Sequence, residues 1–247
     1  MDQPKGGRLD GLRAGADPGG AAARLGGPES DRLVGAEAPP APSPGGHARG
    51  ARGVSKKLEQ AVAEARAQHP DKPVEVWATD EHRIGLKPIL RRVWAPKGQR
   101  PIALGHHRYK WLYVTAFVQP TSGETFWYVS NGVSKPFFAA LLALFAREAG
   151  AGRDRLIVLG LDNAGWHTAP NLAVPDGIRP VYLPPYSPEL QPAEHLWPVL
   201  DEPLANHYFG TLAELKHVVT ERCRVLNGDQ LKPGTSFHRW PKPATPA

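Results

Sequence analysis

The chain has 247 residues, of which 41% are hydrophobic, a formal net charge of +6 and a single cysteine, Cys223. That cysteine excludes an internal disulfide and suits a reducing cytoplasm, and the positive charge only mildly favours a polyanionic partner. No apolar run in the sequence reaches the ~20 residues of a membrane span, and no secretory signal precedes the folded region. We therefore expect a cytoplasmic protein without a membrane partner.

The N-terminal segment differs in composition from the rest of the chain. Residues 1–53 contain no Ile, Phe, Trp, Tyr or Cys, whereas all seven tryptophans follow them. A segment so poor in large apolar side chains cannot bury enough surface to offset the entropy lost on ordering. The sequence therefore predicts a disordered Gly/Ala/Pro/Arg-rich segment over residues 1–54 and one folded domain over residues 55–247.

Hydrophobic periodicity in the folded region predicts an alternation of strands and helices. The strand pair at 111–118 and 124–129 forms a hairpin, which is antiparallel, whereas crossover helices imply parallel neighbours, so we expect an α/β domain with a mixed sheet. The other predicted elements are a helix at 55–68, a strand at 73–79, a turn, strand and loop over 85–104, a buried helix at 134–149, a strand at 156–161, a short helix at 168–172, a strand at 178–183, helices from 187 divided by prolines, and an amphipathic helix at 211–226.

Two aspartates follow predicted strands. Asp80 comes directly after the strand at 73–79, and Asp162 follows the most hydrophobic strand, 156–161. Ligand sites in open α/β sheets gather outside the carboxyl ends of strands, although each aspartate taken alone fits a turn or a cap equally well. Two neighbouring carboxylates repel each other unless a cation lies between them. Magnesium or manganese is the natural occupant, because hard cations prefer carboxylate oxygens and water.

A third acid, Glu194, lies in the segment VYLPPYSPELQPAEHLW, which also contains Glu189. Locally, both glutamates suit the start of a helix, where a proline and an acidic residue are favourable. As a third carboxylate, Glu194 would instead complete a two-metal site that polarises a phosphodiester and activates a water or a 3′-hydroxyl for in-line attack. The local pattern favours the helix-start interpretation, and only the rest of the chain can decide for chemistry.

Four segments together resemble one known family: WATDEHRIGLKPILRRVWAPKGQRP, LDNAGWHTAPNL, LPPYSPELQPAEHLWPVLDEPLANHYF and FHRWP. They are similar to the catalytic domain of bacterial insertion-sequence transposases related to mariner, over about residues 55–247. The resemblance implies a ribonuclease-H-like fold, a mixed sheet flanked by helices, that carries an Asp-Asp-Glu triad. It assigns Asp80, Asp162 and Glu194 as catalytic ligands of two Mg²⁺ (or Mn²⁺) ions, and it leaves Glu189 as a helix-start residue.

The implied reaction is divalent-metal-dependent cleavage of DNA at transposon ends, followed by strand transfer into target DNA. The implied partners are therefore transposon and target DNA, together with further copies of the chain assembled on that DNA. The implied location is the cytoplasm, in association with the nucleoid.

For residues beside the three acids, the sequence indicates a function less clearly. Glu81 would point to the opposite face of its strand, so a direct metal role for it is a minor alternative. His167 is a candidate for contacting a phosphate or orienting a ligand, and a structural hydrogen bond explains it equally well. We expect Asn163 to hold the loop after the second acid, and we expect His195 to face away from the site.

Basic residues interleaved with aromatic ones follow the first acid and predict a track for the DNA backbone. An ordinary solvated face explains such a short basic cluster almost as well. The ten histidines and one cysteine have no usual zinc-ligand spacing. The candidate DNA contacts are Arg91, Arg92, Lys97, Arg100, Arg108, Lys110 and His167.

Full-length members of the resembled family carry an N-terminal helix-turn-helix region that recognises transposon ends. Residues 1–53 cannot form such helices, and their composition is that of a GC-rich gene translated in another frame. We expect an out-of-frame start, or a split transposase whose helix-turn-helix half is a separate chain. The alternative function is a truncated or repurposed DNA-binding remnant without catalysis. A paired-carboxylate glycosidase ranks far below, because it makes no use of the third acid.

Overall fold

The computed structural model describes residues 44–93, 96–97, 102, 104–105, 109–168, 170–236 and 240, with side chains from residue 52 onward. The helices are α1 (Pro44–Gln68), α2 (Lys135–Glu148), α3 (Trp197–Leu200), α4 (Leu212–Val225) and α5 (Gly228–Thr235). The strands are β1 (Val74–Gly85), β2 (Trp111–Val118), β3 (Thr125–Ser130), β4 (Leu156–Leu161) and β5 (Ile178–Tyr182). Single 3₁₀ turns span Pro188–Leu190, Pro192–Leu196 and Glu202–Leu204.

The five strands form one sheet in the order β3-β2-β1-β4-β5. The pairs β1·β2 and β2·β3 are antiparallel, whereas β1·β4 and β4·β5 are parallel. The mixed sheet predicted from the hairpin and the crossover helices is therefore confirmed. Strand β4 is buried along its whole length, as expected for a parallel strand covered on both faces.

Two hydrophobic clusters cover the two faces of the sheet. Alternate residues of β1 divide between them: Trp77 packs with α2, and Ala78 packs with α1, α4 and the segment that follows residue 187. Because side chains alternate along a strand, the same alternation sends Asp80 and Glu81 to opposite faces, as the sequence predicted. Within the described part of the chain, no helix is long and apolar enough to cross a membrane.

Strand β1 extends further than the sequence predicts. Its parallel pairing with β4 ends at Ala78 and Gly160, but its antiparallel pairing with β2 continues to Gly85. The prediction that the strand ends before Asp80 is therefore wrong. The polar stretch of β1 gains its strand conformation from the ladder with β2, a tertiary effect that outweighs local propensity.

Helix boundaries follow the capping signals in two places. The Ser134 side chain accepts a hydrogen bond from the Phe137 backbone N–H at the start of α2, and Thr211 forms a capping box with Glu214 at the start of α4. Helix α2 is followed by Gly150 at φ +70, a conformation that favours glycine. The predicted helices at 134–149 and 211–226 are confirmed.

Other predicted elements differ from the structure. Helix α1 begins at Pro44 rather than residue 55, consistent with the preference for proline in a first helical turn. Residues 168, 170 and 171 form a bend and a turn rather than a helix. The region after 187 is mostly 3₁₀, because closely spaced prolines interrupt the α-helical hydrogen bonds. Within 85–104, the described residues after Gly85 show an isolated bridge at Ile89 rather than a strand. Residues 1–43, most of the segment predicted to be disordered, lie outside the described residues.

Candidate active site

The register of the central strands brings two acids to the same level of the sheet. Ala78 of β1 pairs with Gly160 of β4, and Asp80 and Asp162 each come two residues later along the chain. Parallel strands rise by the same distance per residue, so the two acids reach the same edge side by side. Asp80 lies within β1, which continues past it, whereas Asp162 lies just beyond the end of β4.

Glu194 lines the same cavity as these two aspartates. The cavity has a volume of about 430 Å³, and its wall is completed by the segment 183–188, which follows β5. Glu194 lies in the 3₁₀ turn Pro192–Leu196, and Glu189 lies in the preceding turn, Pro188–Leu190. The structure therefore brings the three predicted carboxylates to one cavity.

Gln191 attaches the Glu194 segment to the central strand. Its side-chain amide donates a hydrogen bond to the backbone oxygen of Thr79, at 2.8 Å, and the residue is only 3% exposed. The bonded carbonyl directly precedes Asp80, so this amide ties the segment that carries Glu194 to the strand at the position of the first acid. Sequence reasoning missed this residue, because a glutamine before a proline has no distinctive pattern.

Asp80 is a buried acid that lies close to the negative charge of Glu194. The Trp197 indole N–H donates to Asp80 Oδ2 at 3.0 Å. Burial and the nearby charge of Glu194 together raise the pKa of Asp80 to about 7, although the indole hydrogen bond opposes them. A buried carboxylate beside a second one favours either a proton or a cation.

Asp162 has the opposite electrostatic environment. Its Oδ1 accepts the backbone N–H of Ala164 at 3.0 Å and lies 2.5 Å from His167 Nδ1. Burial alone would raise the pKa of Asp162, but the hydrogen bonds from His167 and Ala164 outweigh it and lower that pKa. Asp162 therefore stays ionised more readily than Asp80.

His167 bridges two acids on opposite sides of its ring. Nε2 lies 3.2 Å from Glu81 Oε1, while Nδ1 faces Asp162. Burial would lower the pKa of His167, but the hydrogen bonds to Asp162 and Glu81 outweigh it and raise the pKa to about 9. Both ring nitrogens face carboxylate oxygens, an arrangement that favours the imidazolium, the form in which both nitrogens donate.

The donor set fits hard divalent cations. Asp80, Asp162 and Glu194 offer carboxylate oxygens, the ligands that Mg²⁺ and Mn²⁺ prefer. In the part of the chain that the structure describes, no three His, Cys, Asp or Glu side chains are placed so that together they could hold one metal ion. The carboxylates instead surround an open cavity, which suits Mg²⁺ because that ion usually keeps several of its waters.

Some predictions about neighbouring residues are confirmed and one is wrong. Asn163 holds its loop as predicted, because its amide donates to the Leu183 oxygen at 2.6 Å, and His195 is exposed. The prediction that His167 contacts DNA is wrong, because its side chain is 0% exposed and both nitrogens are engaged by carboxylates. The spacing of histidine from aspartate in DNAGWH gave no indication of this double contact.

The basic residues predicted to contact DNA are only partly described. Arg92, Lys97 and Lys110 are exposed. Arg91 has a structural role: its guanidinium donates to the Pro198 oxygen at 2.9 Å, which ties this loop to α3. The remaining candidates, Arg100 and Arg108, lie outside the described residues.

Comparison with known proteins finds one matching family model and several similar folds. The model described as DDE superfamily endonuclease matches residues 75–216, more than half of the chain. The uncharacterized protein y4pE/y4sA of Sinorhizobium fredii (strain NBRC 101917 / NGR234) is 34% identical over 118 residues, which cover 47% of this chain and 84% of that protein.

Two solved structures of similar fold contain the Mos1 transposase. A pre-cleavage Mos1 transpososome superimposes with a TM-score of 0.53 at 16% identity, covering 78% of this chain and 60% of that one. The Mos1 mariner paired end complex with Mn gives a TM-score of 0.52 at 17% identity, with coverages of 78% and 60%. This chain thus spans about three fifths of those chains. At this identity the likeness concerns the fold, and it confirms the predicted ribonuclease-H-like architecture.

Proposed function

Because this chain belongs to the DDE superfamily endonuclease family, we propose that it is the catalytic domain of a transposase. It cuts DNA at transposon ends and joins the ends to target DNA, using Asp80, Asp162 and Glu194 to bind two Mg²⁺ or Mn²⁺ ions. The observation that carries the proposal is the meeting of these three carboxylates, distant in sequence, at one cavity. The Mos1 structures of similar fold include complexes with transposon ends and with Mn or Mg, which agrees with this assignment.

Bound at these carboxylates, the ions would polarise the scissile phosphodiester and activate a water or a 3′-hydroxyl for in-line attack. The protein's own contribution is to hold the ligands. Trp197 fixes one oxygen of Asp80, His167 fixes one oxygen of Asp162, and Gln191 ties the Glu194 segment to β1. Fixed ligands lower the barrier because less reorganisation is needed in the transition state.

The direct test is metal-dependent nicking of a supercoiled plasmid that carries the inverted repeats flanking the gene. We expect nicking with Mg²⁺ or Mn²⁺, none with EDTA, and a loss of at least ~100-fold in Glu194→Gln. Glu189→Gln is the matched control, since it alters an acid of the neighbouring turn in the same segment. Equal nicking by the two variants would contradict the assignment of Glu194.

The alternative function is a DNA-binding remnant without catalysis. This alternative remains because the chain spans only part of the structures it resembles. Metal-independent DNA binding by the unaltered chain, with no nicking in Mg²⁺ or Mn²⁺, would favour the remnant. The separate helix-turn-helix half and assembly into oligomers on DNA stay predictions, which co-expression and size measurements on DNA would test.

A further inference from the structure

We infer that Glu81 and His167 act together as a positioning device for Asp162. Glu81 holds the imidazole ring, and the ring holds one oxygen of Asp162, which leaves the other oxygen available to the cavity. This inference rests on the proposed function, in which Asp162 is a metal ligand. Neither Glu81 nor His167 contacts the ions or the DNA in this assignment, so both are positioning residues.

The ring of His167 is held by packing as well as by its two carboxylate partners. Its side chain is 0% exposed, and the ring of Phe138 lies 4.3 Å away, centroid to centroid. The Tyr182 hydroxyl donates to the His167 backbone oxygen at 2.9 Å, which anchors the turn to β5. A ring held by packing and by two carboxylates transmits its position directly to Asp162.

Both carboxylate oxygens of Glu81 have partners in this arrangement. Oε1 faces His167 Nε2 at 3.2 Å, and Oε2 accepts the Trp166 indole N–H at 3.1 Å. The Glu81 side chain is 4% exposed. Its partners and its burial therefore exclude the direct metal role that the sequence left open, and they give Glu81 a different role, one that operates through His167.

Asp162 needs such support because it lies beyond the end of β4. Its side chain is 48% exposed, and an exposed aspartate outside a strand samples several rotamers. Both of its hydrogen bonds, from Ala164 and from His167, reach Oδ1, and Oδ2 has no hydrogen-bond partner among the described residues. Groups that orient metal ligands in this way typically change metal affinity or activity by ~10–100-fold when removed.

The arrangement also couples the two central strands. Glu81 belongs to β1, beside Asp80, yet it acts on the acid that follows β4. Glu81, although it is next to Asp80 in sequence, therefore positions Asp162.

The test measures Mn²⁺ affinity from the spin-resonance signal of the free ion, with the full chain and no DNA. The variants are His167→Gln, Glu81→Gln and their double variant, with the exposed neighbour Thr168→Ala as matched control. We expect ~10–100-fold weaker binding in His167→Gln and a smaller loss in Glu81→Gln. Because Glu81 acts through His167, the double variant should bind no more weakly than His167→Gln alone.

Nicking provides the second readout. High Mn²⁺ should restore much of the nicking rate in His167→Gln but none in Asp162→Asn, because a positioning residue can be compensated by metal concentration. Circular dichroism checks that each variant is folded. If His167→Gln does not fold, Glu81→Gln, which keeps the size of the buried side chain, carries the test by itself.

The outcomes separate this inference from the proposed function. Failure of the unaltered chain to bind Mn²⁺ or to nick DNA would overturn the proposed function and the inference with it. A second outcome would overturn the inference alone. In it, the unaltered chain binds Mn²⁺ and nicks DNA, Asp162→Asn loses both properties, and Glu81→Gln and His167→Gln keep both unchanged. Losses that simply add in the double variant would refute action through the imidazole.

Discussion

Replacing Asp80 with asparagine should stabilise the metal-free protein while abolishing its reaction. In the folded chain, burial and the charge of Glu194 raise the Asp80 pKa from 3.8 to about 7. At about pH 8 this rise in pKa means that ionised Asp80 lowers the free energy of unfolding by ~4 kcal/mol. Because the cavity is open to solvent and the amide accepts the Trp197 N–H less strongly, we expect a gain in unfolding free energy of about 1–3 kcal/mol.

The sign of the pH dependence follows from the direction of the displacement. A carboxyl whose folded-state pKa is raised contributes stability that is fully present below 3.8 and lost as the pH rises through about 7. The advantage of Asp80→Asn in EDTA should therefore be complete at about pH 8, roughly a third as large at about pH 5, and nearly absent at about pH 4. At pH 8 it should appear as a rise in Tm of roughly 3–8 °C.

The assay is thermal unfolding in EDTA at these three pH values, followed by circular dichroism. Asp71→Asn is the matched control, because it makes the same chemical change at an exposed position in the loop before β1. Nicking with Mg²⁺ should be lost in Asp80→Asn and retained in the control. A variant no more stable than the unaltered chain at pH 8, or equally stabilised at all three pH values, would refute the electrostatic reasoning.

Three further changes have defined outcomes. Gly160→Ala would place its Cβ 2.4 Å from a ring carbon of Trp240, so it should lower the unfolding free energy by about 1–3 kcal/mol in a denaturant melt, whereas Gly132→Ala, which meets no atom within 4 Å, should not. Thr211→Ala removes the cap of α4 and should cost about 1 kcal/mol, with serine at that position restoring most of it; an unchanged midpoint in urea would argue against the cap. Gln191→Leu removes the hydrogen bond to β1 and should reduce nicking by ~10-fold or more while DNA binding, measured by gel shift, is retained.

Much of the domain could be predicted because its local signals agree with its tertiary structure. The hairpin, α2, β4 and α4 have clear periodicity and turn or cap residues, and the structure places them close to their predicted bounds. The length of β1 could not be predicted, because the DEHR stretch becomes a strand only through pairing with β2. The 3₁₀ turns after residue 187 depend on how closely spaced prolines pack against the sheet, which periodicity does not describe.

For the candidate site, too, some residues could be predicted from the sequence and others could not. The resemblance to a known family identified Asp80, Asp162 and Glu194, and the structure shows that these three line one cavity. Gln191 and Glu81, by contrast, act through contacts to residues far away in sequence, and neither has a local pattern that predicts such a contact. For His167, local reasoning left a structural hydrogen bond open beside the DNA contact, and only the fold shows that its ring is sealed from solvent.

The matched positions of Ala78 and Gly160 determine where this chain can tolerate insertions and deletions. One residue added to β1 or β4 before its acid would turn that acid to the other face of the sheet and disperse the ligand set. Residues added to the hairpin turn after Val118, which lies between the two acids in sequence, would leave both acids where they are. The sequence interval between the acids is therefore free to drift, whereas the count of residues from each strand's start to its carboxylate is not.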